Sequence, residues 1–243
     1  MTRAAAAGSQ QPFGAVLITC EHAGNKVPRG LASLFRKAQG VLGTHRGYDR
    51  GALPLARAIS KATGAPLLIG TYTRLLVDLN RSADNPGVLS RYTEALDPTE
   101  RAMLIDRYWS PHREAVERAA ADLIESRGPL LHLGVHTFTP VLRGQRRDVD
   151  IGLLYDPSRP LERQFCTSWL GTLAREAPRL RLKRNAPYTG TSDGLTTTLR
   201  SRFAPASYAG IELEVNQRLL EGAAAFPAPL TRAITSSFAS LLS

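Results

Sequence analysis

Cysteine is scarce in this chain: Cys20 and Cys166, 146 positions apart, are the only two in 243 residues. They can form neither a disulfide framework nor a Cys-x-x-Cys metal knuckle, so a reducing compartment is expected. Long apolar runs are also missing. None approaches the roughly 18 residues that span a bilayer, and the opening MTRAAAAGSQQPFG carries no signal-peptide core. A soluble, cytoplasmic protein without a membrane partner is the expectation. No Gly-rich phosphate loop of either common type occurs, which argues against a nucleotide. Lysine is rare, four residues against 27 arginines. The net charge is +10, yet the basic residues spread from Arg3 to Arg232 with no block of five or six like charges. The densest run, Arg179 to Arg184, alternates with leucine as a half-buried strand does. A nucleic-acid partner is therefore not expected. A cationic cleft that attracts small carboxylates accounts for the same charge.

What is present is ordinary for a globular chain, with 43% hydrophobic and 21% charged residues. The length accommodates one sizeable core. A flexible N-terminal tail is expected over residues 1–13, followed by a single catalytic domain over 14–243. Apolar, β-branched runs predict strands at Ala15–Cys20, Pro66–Gly70, Arg74–Leu79, Leu130–Val135, Ile151–Tyr155, Leu180–Lys183 and Tyr208–Val215. Helices are predicted at Leu31–Lys37, Leu53–Thr63, Leu161–Ala177, Thr196–Phe203 and Pro229–Leu242. Asp97-Pro98-Thr99-Glu100 combines an N-cap, a proline at the first position and a glutamate three residues on, so a further helix should run from there to about Ser126. Strands alternating with helices predict an α/β fold with a mixed, largely parallel sheet covered by helices on both faces.

In such sheets ligands bind beyond the carboxyl ends of the strands. Glu21-His22, Asn80-Arg81, His136-Thr137 and the Glu212–Glu214 pair fall at or near such ends, and His45 to Asp49 occupies a loop before a helix. Imidazoles and carboxylates are the ligand set of a catalytic zinc. The spacing is not the helical His-Glu-x-x-His type, and a strand-exit histidine serves equally as a hydrogen-bonded structural residue. Cys20, two residues before His22, reads as a buried, inert thiol. A serine nucleophile of the α/β-hydrolase kind is not expected.

TCEHAGNKVP, HRGYDRGA, TRLLVDLNR, HTFTP, RDVDIGLLYD, NAPY and IELEVNQ occur in this order between Val16 and Gln217. Together they resemble the N-formylglutamate amidohydrolase family, which cleaves N-formyl-L-glutamate to formate and glutamate at the end of a histidine-degradation route. The family is related in fold to the zinc carboxypeptidases and aspartoacylases. The resemblance therefore implies a zinc-carboxypeptidase-like (phosphorylase/hydrolase-like) domain that binds one divalent metal ion, zinc. Its substrate would be a small acidic N-acyl amino acid.

Carried over residue by residue, the resemblance implies metal ligands at His22, Asp49 and His136. Glu21 is an alternative ligand or a support for one. Glu214 matches the catalytic glutamate of the carboxypeptidases. Glu212, two residues earlier on the same face of a strand, is the alternative or a neighbour that raises its pKa. Asn80 and Arg81 look like the pair that holds a substrate carboxylate, which a planar guanidinium binds bidentately. A second carboxylate asks for a second cation, Arg74 or Arg147, with Arg147 preferred because its motif begins a strand. Tyr188 in NAPY is placed to cover the ligand. The loop TGTSDGLTTTL and the CEHAG start depart from the family pattern, which leaves related N-formyl or N-acyl amino acids open as substrates. A non-catalytic binder of an acidic small molecule and a basic nucleic-acid-associated protein are the alternatives of other classes.

Overall fold

The computed structural model describes residues 12–242, and its strands follow the apolar runs closely. They are β1 (Ala15–Cys20), β2 (Leu67–Ile69), β3 (Leu130–Phe138), β4 (Val141–Leu142), β5 (Gln145–Arg146), β6 (Ile151–Leu154), β7 (Leu182–Arg184) and β8 (Tyr208–Asn216). Six of them form one sheet in the order β2-β1-β3-β8-β6-β7, while β4 and β5 make a small separate hairpin. All neighbours in the main sheet run parallel except β6 and β8, which are antiparallel. The mixed, largely parallel sheet is thus as expected. Every residue of the central strand β3 is buried, as befits a strand covered on both faces.

The helices are α1 (Gln39–Leu42), α2 (Ala52–Thr63), α3 (Pro98–Leu104), α4 (Ser110–Arg127), α5 (Pro160–Glu176), α6 (Leu195–Arg202) and α7 (Ala228–Ala239). One face of the sheet packs against α2 and α5, with α7 seated on both helices, and the shared core includes Ile18, Leu55, Leu133, Trp169, Ile211 and Phe238. The other packs against α4 and α6 through Leu17, Val116, Leu130, Leu199 and Tyr208. Asp97 caps α3 as its sequence predicts: it accepts from the Glu100 amide, and Glu100 accepts in return from the Asp97 amide. Between α3 and α4 lies a π-helical turn, Ile105–Trp109. Pro111 follows it, and a proline can neither donate to the preceding turn nor tolerate its carbonyl, so a wider turn absorbs the mismatch.

Three expectations need correction. Arg74–Leu79 is a series of turns, not a strand. Its apolar residues are buried in small satellite clusters beneath the loop, and the Thr73 hydroxyl bonds the Gly47 carbonyl and the Leu75 amide instead of leaving the backbone to pair. The strand expected at Leu180–Lys183 begins two residues later and runs one further, over Leu182–Arg184. Phe13, assigned to the tail, is buried edge-to-face on Phe165, so the packed core begins ahead of residue 14. The rest of the tail assignment, residues 1–11, lies outside the described residues.

Candidate active site

The parallel register lines up the chemistry. His136 on β3 lies directly beside Glu214 on β8, and Gly134 beside Glu212. Thr19 on β1 pairs with Gly134, so continuing that register by two residues brings Glu21, just past the end of β1, opposite His136. One row across three strands therefore carries Glu21, His136 and Glu214. His22 follows on the loop. The Asp49 amide donates to the His22 carbonyl at 3.0 Å, which locks the GYDRGA turn onto that loop. Gly51 then turns the chain into α2 at φ 85°, where a β-carbon would also come within 2.6 Å of Leu220.

His22, Asp49 and His136 are all buried, and one ligand atom from each lies within 4.8 Å of the others. The two imidazoles approach Asp49 through the same nitrogen. His22 Nδ1 is 3.5 Å and His136 Nδ1 3.1 Å from Asp49 Oδ2. Each ring's far nitrogen faces another carboxylate. Asp78 Oδ1 stands 2.7 Å from His22 Nε2, and Glu21 Oε2 stands 3.1 Å from His136 Nε2. A carboxylate behind each imidazole fixes the ring and leaves the opposite nitrogen to a ligand. Glu21 stands behind His136 as an ion-pair neighbour, and neither of its carboxylate oxygens makes a hydrogen bond.

The electrostatics point the same way. Burial and the Arg74 charge push the His22 imidazole down, but Asp78 and Asp49 outweigh them and hold it above its usual range. Burial likewise opposes protonation of His136, and Asp49 and Glu21 together raise it well above that range. Asp49, despite its burial, is held far below the ordinary carboxylate range by both imidazoles and Arg74. A buried knot of carboxylates that raises the pKa of two imidazoles is a site that favours positive charge. His22 Nδ1 is buried and makes no hydrogen bond. This unpartnered nitrogen, with the two-imidazole, one-carboxylate donor set, fits a divalent metal ion.

A cleft of about 190 Å³ opens over the trio. Its walls include Glu214, Glu212, Asn80, Arg81, Arg74, Thr137, Tyr188 and Asp193. Glu214 is buried and its Oε2 has no partner. Burial above all lifts its carboxyl to about 8; the His136 imidazole opposes the shift, and Asp49 and Glu212 add to it. Glu212 is thus a minor contributor. Its own Oε1 is engaged by the Asn80 amide at 3.2 Å and the Thr196 hydroxyl at 3.3 Å.

The arginines divide. Arg74 donates to Asp78 at 2.7 Å and to Asp49 at 3.4 Å, so it is already neutralised inside the site, which argues against it as the second substrate cation. Arg81 makes only a long contact, 3.4 Å, to the Asp193 carbonyl and keeps its charge toward the cleft. Arg147 follows β5 and begins no strand. Its guanidinium stacks between Phe138 and Tyr188, 5.4 and 4.9 Å from their ring centres, and it does not line the cleft itself. Tyr188 stands half-exposed at the mouth. His45 lies outside the trio, half-buried, its pKa lowered by partial burial and by Arg46. Cys20 is free and buried, its thiol pushed up by burial, as expected of an inert cysteine.

Several residues of the site carried no warning. Asp78, the partner of His22, is the acid of VDLNR, and its only signal was its place two residues before Asn80. Asp193 binds the Ser82 amide and the Asn85 side chain, joining two loops of the cleft. Beneath the NAPY loop, buried Glu162 accepts from Arg200 at 2.9 Å, and Arg200 donates to the Gly190 carbonyl. Gly190-Thr191-Ser192-Asp193-Gly194 does have Gly-x-Ser-x-Gly spacing. However, β7 ends eight residues before Ser192, and the Ser192 hydroxyl pairs with that of Thr189 at 2.7 Å, not with an imidazole. The strand–turn–helix context of a nucleophile elbow is missing.

Fold and site together describe an α/β protein with a mixed sheet and a candidate metal centre at its strand ends. Residues 14–221 match the N-formylglutamate amidohydrolase family, and the chain belongs to it. It is accordingly a hydrolase of the amide bond of N-acyl amino acids. Among solved structures, a gene product from Agrobacterium tumefaciens superposes with a TM-score of 0.79 at 28% identity, over 94% of this chain and 90% of that one. The N-formylglutamate amidohydrolase from Ralstonia eutropha JMP134 shares the fold, with a TM-score of 0.67 at 18% identity, over 94% and 93% of the two chains. No curated protein matches the sequence. Among the described residues, no helix is long and apolar enough to cross a membrane.

Proposed function

We propose that the protein hydrolyses N-formyl-L-glutamate to formate and L-glutamate, with one zinc ion held by His22, Asp49 and His136. The observation that carries this reading is the convergence of those three buried side chains, each imidazole backed by its own carboxylate. Held by these residues, a divalent ion would supply Lewis acidity, lowering the pKa of an adjacent water towards ~7 and polarising the scissile carbonyl. Glu214 is the base. Its unpartnered Oε2 faces the same cleft, and a nearby dication favours its ionised form. It takes a proton from the attacking water and returns it to the departing amine. Asn80, held by the Leu195 amide and Glu212, and Arg81 grip a substrate carboxylate. Arg147 and Tyr188 flank the mouth, where the second carboxylate would lie. With glutamate and formate as products, the enzyme fits the last step of a histidine-degradation route.

The test is a panel of N-formyl-L-glutamate, N-formyl-L-aspartate, N-acetyl-L-glutamate and N-formyl-L-leucine, scored by kcat/KM. The reading expects N-formyl-L-glutamate to lead, with the neutral substrate far behind. Preference for N-formyl-L-leucine would overturn the acidic specificity, and binding of all four without turnover would overturn catalysis.

A further inference from the structure

The substrate-gripping segment Leu79-Asn80-Arg81 is neither strand nor helix, so something outside the cleft must hold it still. Two side chains do. The Trp109 indole N–H donates to the Arg81 carbonyl at 2.9 Å. The Arg113 guanidinium donates to the Leu79 carbonyl at 3.1 Å and to the Thr198 hydroxyl at 2.5 Å. Arg113 is buried, and its guanidinium lies 5.1 Å from the Trp109 ring centre, so the two form one stacked unit. Neither lines the cleft.

Their placement follows from their spacing at the start of α4. Trp109 closes the π-helical turn and Arg113 lies four residues on, in the first turn of α4. Residues four apart share a helix face, which is why the indole and the guanidinium reach one loop together. The two carbonyls they hold flank Asn80, whose side chain accepts from the Leu195 amide and donates to Glu212. The loop is therefore tied at three consecutive residues. A clamp gains affinity when its binding geometry exists before the ligand arrives, since little ordering remains to be done.

We infer that Trp109 and Arg113 are positioning residues that set the substrate-carboxylate grip by pinning the carbonyls on either side of Asn80. The inference rests on the proposed role of Arg81. Trp109→Phe removes the donor and keeps a ring for Arg113 to stack on. Arg113→Lys keeps the charge but loses the planar fork that spans Leu79 and Thr198.

The experiment measures Trp109→Phe in the wild-type and in the Arg81→Ala background, with N-formyl-L-glutamate as substrate and hydrogen exchange followed in both. One neutral hydrogen bond corresponds to roughly a two- to tenfold effect. KM should therefore rise by that factor in the wild-type background, with kcat and metal content nearly unchanged, and should not rise further once Arg81 is gone. Amides near residues 78–82 should exchange faster while those of β1 and β3 do not. An equal rise of KM in both backgrounds, or faster exchange throughout the sheet, would reduce Trp109 to a packing residue and overturn the inference. If Arg81→Ala leaves KM unchanged, the grip assigned to Arg81 fails on its own account. Exchange then decides the pinning: selective loosening of 78–82 upholds it, and no loosening refutes it.

Discussion

Replacing Glu214 with glutamine should make the protein more stable and nearly inactive. Its carboxyl titrates at about 8 in the folded chain against 4.5 ordinarily. The folded pKa is raised, so the associated penalty is absent below pH 4.5, grows through the interval up to 8 and is constant above it. At ~1.4 kcal/mol per unit, the metal-free protein at pH 7 carries about 3 kcal/mol of it. Glutamine cannot ionise and removes the pH-dependent part. For a chain of this size, that corresponds to a rise in the metal-free Tm of up to roughly 6–12 °C. Glutamine also cannot accept a proton, so kcat should fall by about 10²–10⁴ while zinc content holds. Scanning calorimetry of the metal-free protein at pH 5, 7 and 8.5, beside steady-state kinetics, checks both halves. Wild type and variant should diverge as pH rises. A variant less stable than wild type at pH 7, or with kcat within threefold of it, would refute the assignment. A large kcat loss confined to Glu212→Gln would move the role there.

Asp78→Asn keeps all three candidate ligands but loosens His22, so zinc affinity should fall about 10- to 100-fold by calorimetric titration; an unchanged affinity would remove Asp78 from the centre. The raised pKa values of His22 and His136 mean that protons compete with the metal to above the ordinary imidazole range. Metal affinity should thus climb between pH 6 and 8 with protons released on binding, and a flat profile would contradict the ligand set. Asp150, buried under Arg181 and Arg218, is held at about 2 against a usual 3.8, burial being outweighed by the arginine hydrogen bonds. Its contribution of about 2 kcal/mol is complete above pH 4 and lost as pH falls through 2. In acid titrations followed by circular dichroism, Asp150→Asn should flatten that limb, and an unaltered limb would refute the linkage.

The strands and most helices were legible because burial leaves a plain mark on sequence, as in the run from Ala15 to Cys20. The same mark misled at Arg74–Leu79. Four buried apolar residues among six, Leu75, Leu76, Val77 and Leu79, look like a strand, and nothing local reveals that they fill satellite clusters under a loop. At the site, residue identity was legible and pairing was not. His22, Asp49, His136 and Glu214 stood out as motif residues, but the register that sets Glu21 behind His136 comes from strands more than a hundred positions apart. Asp78 and Arg74 sat in the same quoted motif, and only the fold shows that they neutralise each other. The pinning role of Trp109 depends on a contact with Arg81, 28 positions away, that no local pattern announces.

The central claim is that His22, Asp49 and His136 hold the metal on which hydrolysis depends. Elemental analysis of the wild-type protein and of His136→Ala, each paired with formate release from N-formyl-L-glutamate, tests it most directly. One zinc per chain with steady formate release in the wild type, and neither in the variant, is the predicted result. Full metal occupancy in His136→Ala, or formate release from a metal-free wild type, would contradict it.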